Sequence, residues 1–121
     1  MKALIIDDSR AMRMILKGVL LEIGFTVTEA ASVREGLEKL KEGAPFDLAL
    51  VDWNLPEAPG LAFVEAARAD PSHNSMRIMM VTTETEMAQM ARALGAGANE
   101  YVMKPFTKPA IIEKLTMLGL V

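Results

Sequence analysis

The sequence contains no cysteine among its 121 residues, and only 5% of them are aromatic. The absence of cysteine excludes disulfide bonds, thiolate metal ligands and a cysteine nucleophile. Hydrophobic residues nevertheless make up 51% of the chain and include 10 methionines, so we expect an aliphatic, methionine-rich core. No apolar run approaches the roughly 20 residues that a membrane-spanning helix needs. The composition therefore predicts one globular domain over residues 1–121, without membrane insertion.

The chain also lacks an excess of positive charge. It has 13 basic and 16 acidic residues, for a net charge of −3. Non-specific nucleic-acid binding requires a basic surface, so we expect no nucleic-acid partner. The first apolar run is interrupted by Asp7 and Asp8 and is too short for a signal peptide. We therefore expect a cytoplasmic protein, and we expect it to be a monomer.

Short apolar segments alternate with segments of helical periodicity along the whole chain. The predicted strands are residues 3–6, 26–29, 48–52, 77–81 and 99–103. The predicted helices are residues 10–23, 33–42, 61–69, 84–94 and a last helix that follows Thr107. Ser9, Ser32 and Thr107 are expected N-caps, and Gly24 is an expected C-cap. Strict alternation of this kind predicts an α/β fold, with a parallel sheet covered by helices on both faces.

Four of the five predicted strands end in polar or charged side chains. Asp7 and Asp8 follow the first strand, Asp52 ends the third, Thr82 follows the fourth and Lys104 follows the fifth. Right-handed crossovers place the carboxyl ends of parallel strands at one edge of the sheet, where binding sites form. We therefore expect these side chains to converge.

Three carboxylates, a hydroxyl and a lysine suggest a specific chemistry. Crowded carboxylates repel each other, so they either protonate or bind a cation, and Mg²⁺ prefers such oxygen ligands. Asp52 would retain one oxygen as a nucleophile for a phosphoryl group. Lys104 and Thr82 would then help to neutralise the phosphoryl oxygens. A plainer alternative is that Asp7 and Asp8 only stabilise the N-terminus of the first helix.

Several other side chains have two interpretations. Arg10, Arg13 and Lys17 share one face of the first helix, which is either solvated surface or a docking face for an acidic partner. Met87 and Met90 either pack with Leu94 or form an adaptable partner surface. The sequence therefore leaves the roles of both groups open.

Two further side chains have a plain expected role. His73 lies in a polar segment and is expected to be solvated. Tyr101 is in a predicted strand, where tyrosine usually serves in packing.

With these spacings, Asp7-Asp8, Asp52, Thr82 and Lys104-Pro105 resemble the receiver domain of two-component response regulators, over essentially the whole chain. The segments 52–56, 81–84 and 101–107 resemble the stand-alone chemotaxis regulators of that family more specifically. The resemblance implies a doubly wound, flavodoxin-like fold with five helices and the strand order 2-1-3-4-5.

The resemblance also implies a phosphorylation site. A histidine kinase or a phosphotransfer protein would donate a phosphoryl group to Asp52. Mg²⁺ would be held by Asp8, Asp52 and the backbone carbonyl of Asn54, and by Asp7 through water. Lys104 would contact the phosphoryl group.

The same resemblance implies how the signal leaves the site. Thr82 would move toward the phosphoryl group and Tyr101 would turn inward, which would change the face formed by the fourth helix, fifth strand and fifth helix. That face would act on a protein target. Asn54, Thr83 and Glu84 occupy positions that influence the rate of dephosphorylation in relatives.

The chain departs from the family pattern in three places. Ala58-Pro59-Gly60 replaces the usual Met-Asp-Gly, so Pro59 is expected to start the third helix. Thr83 is bulkier than the small residue found in many relatives, beside the expected phosphoryl site. Glu86 and Met87 stand where the chemotaxis regulators carry basic residues.

Three functional classes are compatible with these residues. The first is a phospho-switch that assists its own phosphorylation and dephosphorylation but is not otherwise an enzyme. The second is an unphosphorylated receiver-like interaction domain, and the third is a small metal-dependent phosphohydrolase. Retention of all five strand-end residues argues against the second class. A phosphohydrolase would use a carboxylate two residues after Asp52 as an acid–base partner, and this chain has none at that position.

Overall fold

The computed structural model describes residues 1–83 and 85–121 in full and residue 84 by its backbone. The strands are β1 (Lys2–Ile6), β2 (Thr26–Ala30), β3 (Leu48–Asp52), β4 (Arg77–Thr82) and β5 (Glu100–Met103). The helices are α1 (Arg10–Ile23), α2 (Val33–Gly43), α3 (Gly60–Ala69), α4 (Met90–Ala96) and α5 (Lys108–Met117). Two 3₁₀ segments, Pro71–His73 and Glu84–Gln89, precede β4 and α4. Among the described residues, no helix combines the length and apolarity that crossing a membrane requires.

The five strands form one parallel sheet in the order β2-β1-β3-β4-β5. This is the predicted doubly wound α/β fold with the implied strand order, so both predictions are confirmed. The central strand β3 is buried along its whole length. Its continuous apolar sequence reflects this position, because both faces of the strand are covered by helices.

The core lies in two layers, one on each face of the sheet. α2, α3 and α4 supply the helical side of one layer, which contains Phe63 with 0% of its surface exposed. α1 and α5 supply the other, through Leu16, Leu20, Ile111 and Leu115. Ile15, which is also on α1, remains 54% exposed.

Most helix ends follow from short-range sequence signals. The side chains of Ser9, Ser32 and Thr107 each accept a hydrogen bond from a first-turn N–H group, as predicted for N-caps. Gly24 ends α1 in the left-handed region, with φ of 110°. Pro59 precedes α3 as its cap residue, so the helix begins at Gly60 and not at the proline.

The predicted helix at residues 84–94 is divided into two parts. Its first part is the 3₁₀ segment Glu84–Gln89, and α4 then runs from Met90 to Ala96 and ends at Gly97. A 3₁₀ helix rises further per residue than an α-helix. The tighter winding allows a short segment to connect the end of β4 with Met90, which is buried in the core.

The sequence predicts a solvated His73, but the structure shows that its side chain is largely buried. Its Nε2 lies 3.5 Å from Asp70 Oδ2, and its side chain is 14% exposed. Arg68 also contacts this segment. Its guanidinium donates hydrogen bonds to the backbone carbonyls of His73, Met76 and Gly97. These contacts connect the end of α3 with the loops that follow it and α4.

Gly60 is required by a close approach of α3 to the end of β3. Its N–H donates to the carbonyl of Trp53 at 2.8 Å, and a Cβ atom at this position would overlap the backbone carbonyl oxygen of Asp52. We expect Gly60→Ala to lower the free energy of unfolding by about 2 kcal/mol or more, because backbone atoms have to move. Urea unfolding measures this change.

Gly18 provides the matched control. It lies on the exposed face of α1, and an added Cβ would meet nothing within 4 Å. Gly18→Ala should therefore stabilise the protein by about 0.5–1 kcal/mol through its helix propensity. A Gly60→Ala variant as stable as the wild type would show that the close approach does not constrain the fold.

Candidate functional site

Asp7 and Asp52 lie side by side because of the register of the sheet. Ile6 of β1 pairs with Val51 of β3, and each strand continues into an aspartate. One carboxylate oxygen each from Asp7, Asp8 and Asp52 lies within 4.8 Å of the others. The three acidic side chains thus meet at the carboxyl edge of the sheet, where the alternation of strands and helices predicts them.

Lys104 extends from the end of β5 into this acidic cluster. Its Nζ lies 3.4 Å from Asp52 Oδ1 and 4.0 Å from Asp7 Oδ2. Its backbone N–H donates to the carbonyl of Thr82 at 2.6 Å, and the Lys104–Pro105 peptide bond is cis. β4 and β5 therefore fix the lysine, and one ammonium group faces three carboxylates.

Burial makes this excess of negative charge costly. Asp7 is 1% exposed and Asp52 is 6% exposed, whereas Asp8 is exposed. Asp7 Oδ1 accepts a hydrogen bond from the N–H of Ser9, but its Oδ2 is buried without a hydrogen-bond partner among the described residues. A buried acceptor of this kind requires an explanation, and a bound cation supplies one.

The electrostatics of the two buried carboxyls agree with that interpretation. Burial, followed by the negative charge of Asp7, raises the pKa of Asp52 from 3.8 to about 6, although Lys104 opposes the change. Burial also raises the pKa of Asp7. A divalent cation would favour the ionised form of both groups, and carboxylate oxygens are the ligands that Mg²⁺ prefers. The donor set therefore fits Mg²⁺.

The loops after β3 and β4 place the remaining site residues around the cluster. Thr82 is 0% exposed, and its Oγ1 lies 3.3 Å from both the carbonyl of Thr83 and Glu86 Oε1. Asn54 is exposed, and its side-chain amide donates to Glu86 Oε2. The side chain of Glu84 lies outside the described residues.

Tyr101 lies apart from the acidic cluster, on β5. It is half-buried and packs against the core layer that contains α4. Lys114 Nζ lies 4.8 Å from the centre of its ring and 3.1 Å from Glu100 Oε1. The tyrosine thus connects the core with α5, at the face formed by α4, β5 and α5.

The basic face of α1 is not simply solvated. Arg13 Nε and Lys17 Nζ lie 3.2 Å and 3.4 Å from the two carboxylate oxygens of Glu29 on β2. Arg13 also donates to the backbone carbonyl of Asp7 at 2.6 Å, and its side chain is only 17% exposed. Solvation is therefore wrong for Arg13, which connects α1 with β2 and with the end of β1; Arg10 remains exposed.

The two methionines of the α4 region differ. Met90 belongs to the core, and Met87 is partly buried against it. Packing is therefore the correct interpretation of Met90. Leu94 is 42% exposed on the following turn.

The contact of Glu86 with the site was not foreseen from the sequence. Its carboxylate accepts a hydrogen bond from the N–H of Thr83 at 2.9 Å. The Thr83-x-x-Glu86 spacing is that of a capping box, in which the acidic side chain returns to the start of its own helix. That local signal would have placed the carboxylate of Glu86 beside Thr82.

Comparisons with known proteins agree with this geometry. The family model of the response regulator receiver domain matches residues 3–116. Chemotaxis protein CheY1 of Helicobacter pylori J99 is 42% identical over 119 residues, which cover 98% of this chain and 96% of the relative. Chemotaxis protein CheY of Pseudomonas aeruginosa is 41% identical over 95% of this chain and 93% of its own length.

A solved structure shows the same fold. The chemotaxis response regulator CheY4 of Vibrio cholerae superposes with a TM-score of 0.88 at 32% sequence identity, covering 97% of each chain. Together with the family match, this confirms the resemblance seen in the sequence. The chain belongs to the response regulator receiver domain family.

Proposed function

We propose that this chain is a two-component phospho-switch in which Asp52 accepts the phosphoryl group. The observation that carries the proposal is the group formed by three clustered carboxylates and Lys104 Nζ, which lies 3.4 Å from Asp52. A buried carboxylate with a lysine beside it can attack phosphorus while the developing charge is neutralised.

Asp8, Asp52 and the backbone carbonyl of Asn54 would hold Mg²⁺, with Asp7 acting through water. When bound, Mg²⁺ supplies positive charge to the oxygens of the transferring phosphoryl group. One oxygen of Asp52 forms the new bond to phosphorus as the bond from phosphorus to the donor atom breaks. The donor atom keeps the electron pair of that bond. Lys104 binds an oxygen of the phosphoryl group and keeps it oriented.

The signal would then pass to the face formed by α4, β5 and α5. The Thr82 hydroxyl donates to the phosphoryl group and Tyr101 turns inward, so a new charge biases an element with two arrangements. Support comes from Thr82 at the end of β4 and from Tyr101, which is half-buried on the neighbouring strand. Leu94 and Met103 leave exposed apolar surface on α4 and β5 for a protein target.

The duration of the signal depends on hydrolysis of the aspartyl phosphate. Asn54, Thr83 and Glu84 would set this rate by controlling how water reaches the phosphorus atom. The hydroxyl of Thr83 lies 2.9 Å from that of Thr85, beside the end of β4. The chain thereby assists its own phosphorylation and dephosphorylation without acting on other substrates.

We place this switch in chemotaxis, in the cytoplasm and as a monomer. The near full-length matches to chemotaxis proteins support the assignment to chemotaxis. A histidine kinase or a phosphotransfer protein would be the donor, and the output target would be a protein.

Intact-mass spectrometry after incubation with acetyl phosphate and Mg²⁺ tests the proposal. We expect a mass gain of one phosphoryl group, because a small phosphodonor needs only the chain's own site. Hydroxylamine should remove the label, since it cleaves acyl phosphates, and a chelator should prevent labelling. A wild-type protein that stays unlabelled would favour the interaction domain instead, and a label that resists hydroxylamine would place it on another type of side chain.

A further inference from the structure

Glu86 bridges the loops that follow β3 and β4. Its Oε1 accepts from the N–H of Thr83 at 2.9 Å and lies 3.3 Å from the hydroxyl oxygen of Thr82. Its Oε2 accepts from the side-chain amide of Asn54. Asn54 follows Asp52 by two residues and Thr82 ends the neighbouring strand, so one carboxylate holds both sides of the acceptor site.

These hydrogen bonds compete with the proposed phosphorylated state. A threonine hydroxyl has a single proton, which it donates to one acceptor at a time. Thr82 is completely buried and has its acceptors in Glu86 and the carbonyl of Thr83, so it cannot donate to a phosphoryl group without leaving them. A phosphoryl group on Asp52 would also repel the carboxylate of Glu86.

We propose that Glu86 is a positioning residue that restrains the switch in its unphosphorylated arrangement. It holds the Thr82 hydroxyl and the Asn54 amide away from the phosphoryl position, and phosphorylation of Asp52 releases both groups. This inference rests on the proposed function of Asp52. Removing the carboxylate should therefore favour the arrangement that binds a phosphoryl group.

The first experiment tests the contact in the unphosphorylated protein by ¹⁵N NMR. In the wild type, hydrogen bonding to a carboxylate should shift one of the two Asn54 side-chain amide protons downfield. Glu86→Gln should reduce that shift, because glutamine has only one acceptor oxygen, which is uncharged and cannot serve both Thr83 and Asn54. Glu65→Gln is the matched control, since Glu65 is an exposed carboxylate on α3. An unchanged Asn54 signal in Glu86→Gln would overturn the proposal.

The second experiment measures binding of beryllofluoride, an unreactive analogue of the phosphoryl group, in the presence of Mg²⁺. Trp53, which directly follows Asp52, reports binding by its fluorescence. We expect Glu86→Gln to bind beryllofluoride about tenfold more tightly than the wild type. Binding no longer has to break the hydrogen bonds that the charged carboxylate of Glu86 accepts in the unphosphorylated arrangement. Glu65→Gln should bind as the wild type does.

A double-mutant cycle separates the restraint from a simple loss of negative charge. In a Thr82→Val, Asn54→Ala background, Glu86→Gln should no longer change the affinity for beryllofluoride, because the two polar side chains that Glu86 restrains are gone. If Glu86→Gln still raises the affinity for beryllofluoride tenfold in this background, the proposal is wrong. The gain would then come from removing the repulsion between the Glu86 carboxylate and the phosphoryl analogue. A wild type that binds no beryllofluoride would instead refute the phospho-switch itself, so the two failures are distinguishable.

Discussion

Asp52→Asn should abolish labelling by acetyl phosphate and, at the same time, stabilise the metal-free protein at pH 7. Labelling is lost because the amide oxygen is a poor nucleophile. Stability rises because an ionised carboxylate no longer has to be buried at 6% exposure beside Asp7. A pKa raised from 3.8 to about 6, a net shift that already includes the opposing attraction of Lys104, corresponds to an expected gain of roughly 3 kcal/mol.

Urea unfolding in the presence of a chelator measures the stability change. Asp8→Asn is the matched control, because it removes the same charge from an exposed position of the same cluster. We expect this control to stabilise the protein less than Asp52→Asn does. If Asp52→Asn is less stable than the wild type without metal, burial of the acidic cluster is not costly and the electrostatic argument is wrong.

Mg²⁺ should reverse the pH dependence of stability. The folded pKa of Asp52 lies above its unfolded value, so the ionised group destabilises the metal-free protein above about pH 6. This cost decreases as the pH falls through 6 and disappears below the unfolded pKa of 3.8. The metal-free wild type should therefore gain stability between pH 7 and pH 5, by about 1 kcal/mol from this group.

With saturating Mg²⁺ the trend should run in the opposite direction. Mg²⁺ binds the ionised carboxylates, so protonation at pH 5 releases it and its stabilisation is lost. At about 100 times the dissociation constant, that stabilisation is about 3 kcal/mol at pH 7. Thermal unfolding at the two pH values, with Mg²⁺ or chelator, measures both trends, and Asp52→Asn should show neither. Identical curves with and without Mg²⁺ would rule out a metal at this site.

Features that depend on residues close together in the sequence, or on the order of strands and helices alone, could be predicted from the sequence. Ser9, Gly24 and Thr107 mark helix ends because capping involves residues within one turn. The meeting of Asp7 with Asp52 depends on the parallel arrangement of strands, which the alternation of strands and helices already requires. The acidic cluster could therefore be predicted without knowledge of any side-chain contact.

Contacts between distant parts of the chain could not be predicted in this way. Arg13 and Glu29 are 16 residues apart and meet only after α1 packs beside β2. Arg68 reaches the carbonyl of Gly97, 29 residues away, through a guanidinium that no local pattern distinguishes from a surface arginine. The bond from Asn54 to Glu86 likewise spans two loops and depends on how the 3₁₀ segment winds.

Locating the phosphoryl group on the chain tests the central claim most directly. Borohydride reduces an aspartyl phosphate to homoserine, so treatment of the labelled protein marks the acceptor residue permanently. Tandem mass spectrometry of the resulting peptides should then find homoserine at residue 52, only when Mg²⁺ was present. Homoserine at position 7 or 8, or a label that survives reduction on a hydroxyl side chain, would contradict Asp52 as the phosphoryl acceptor.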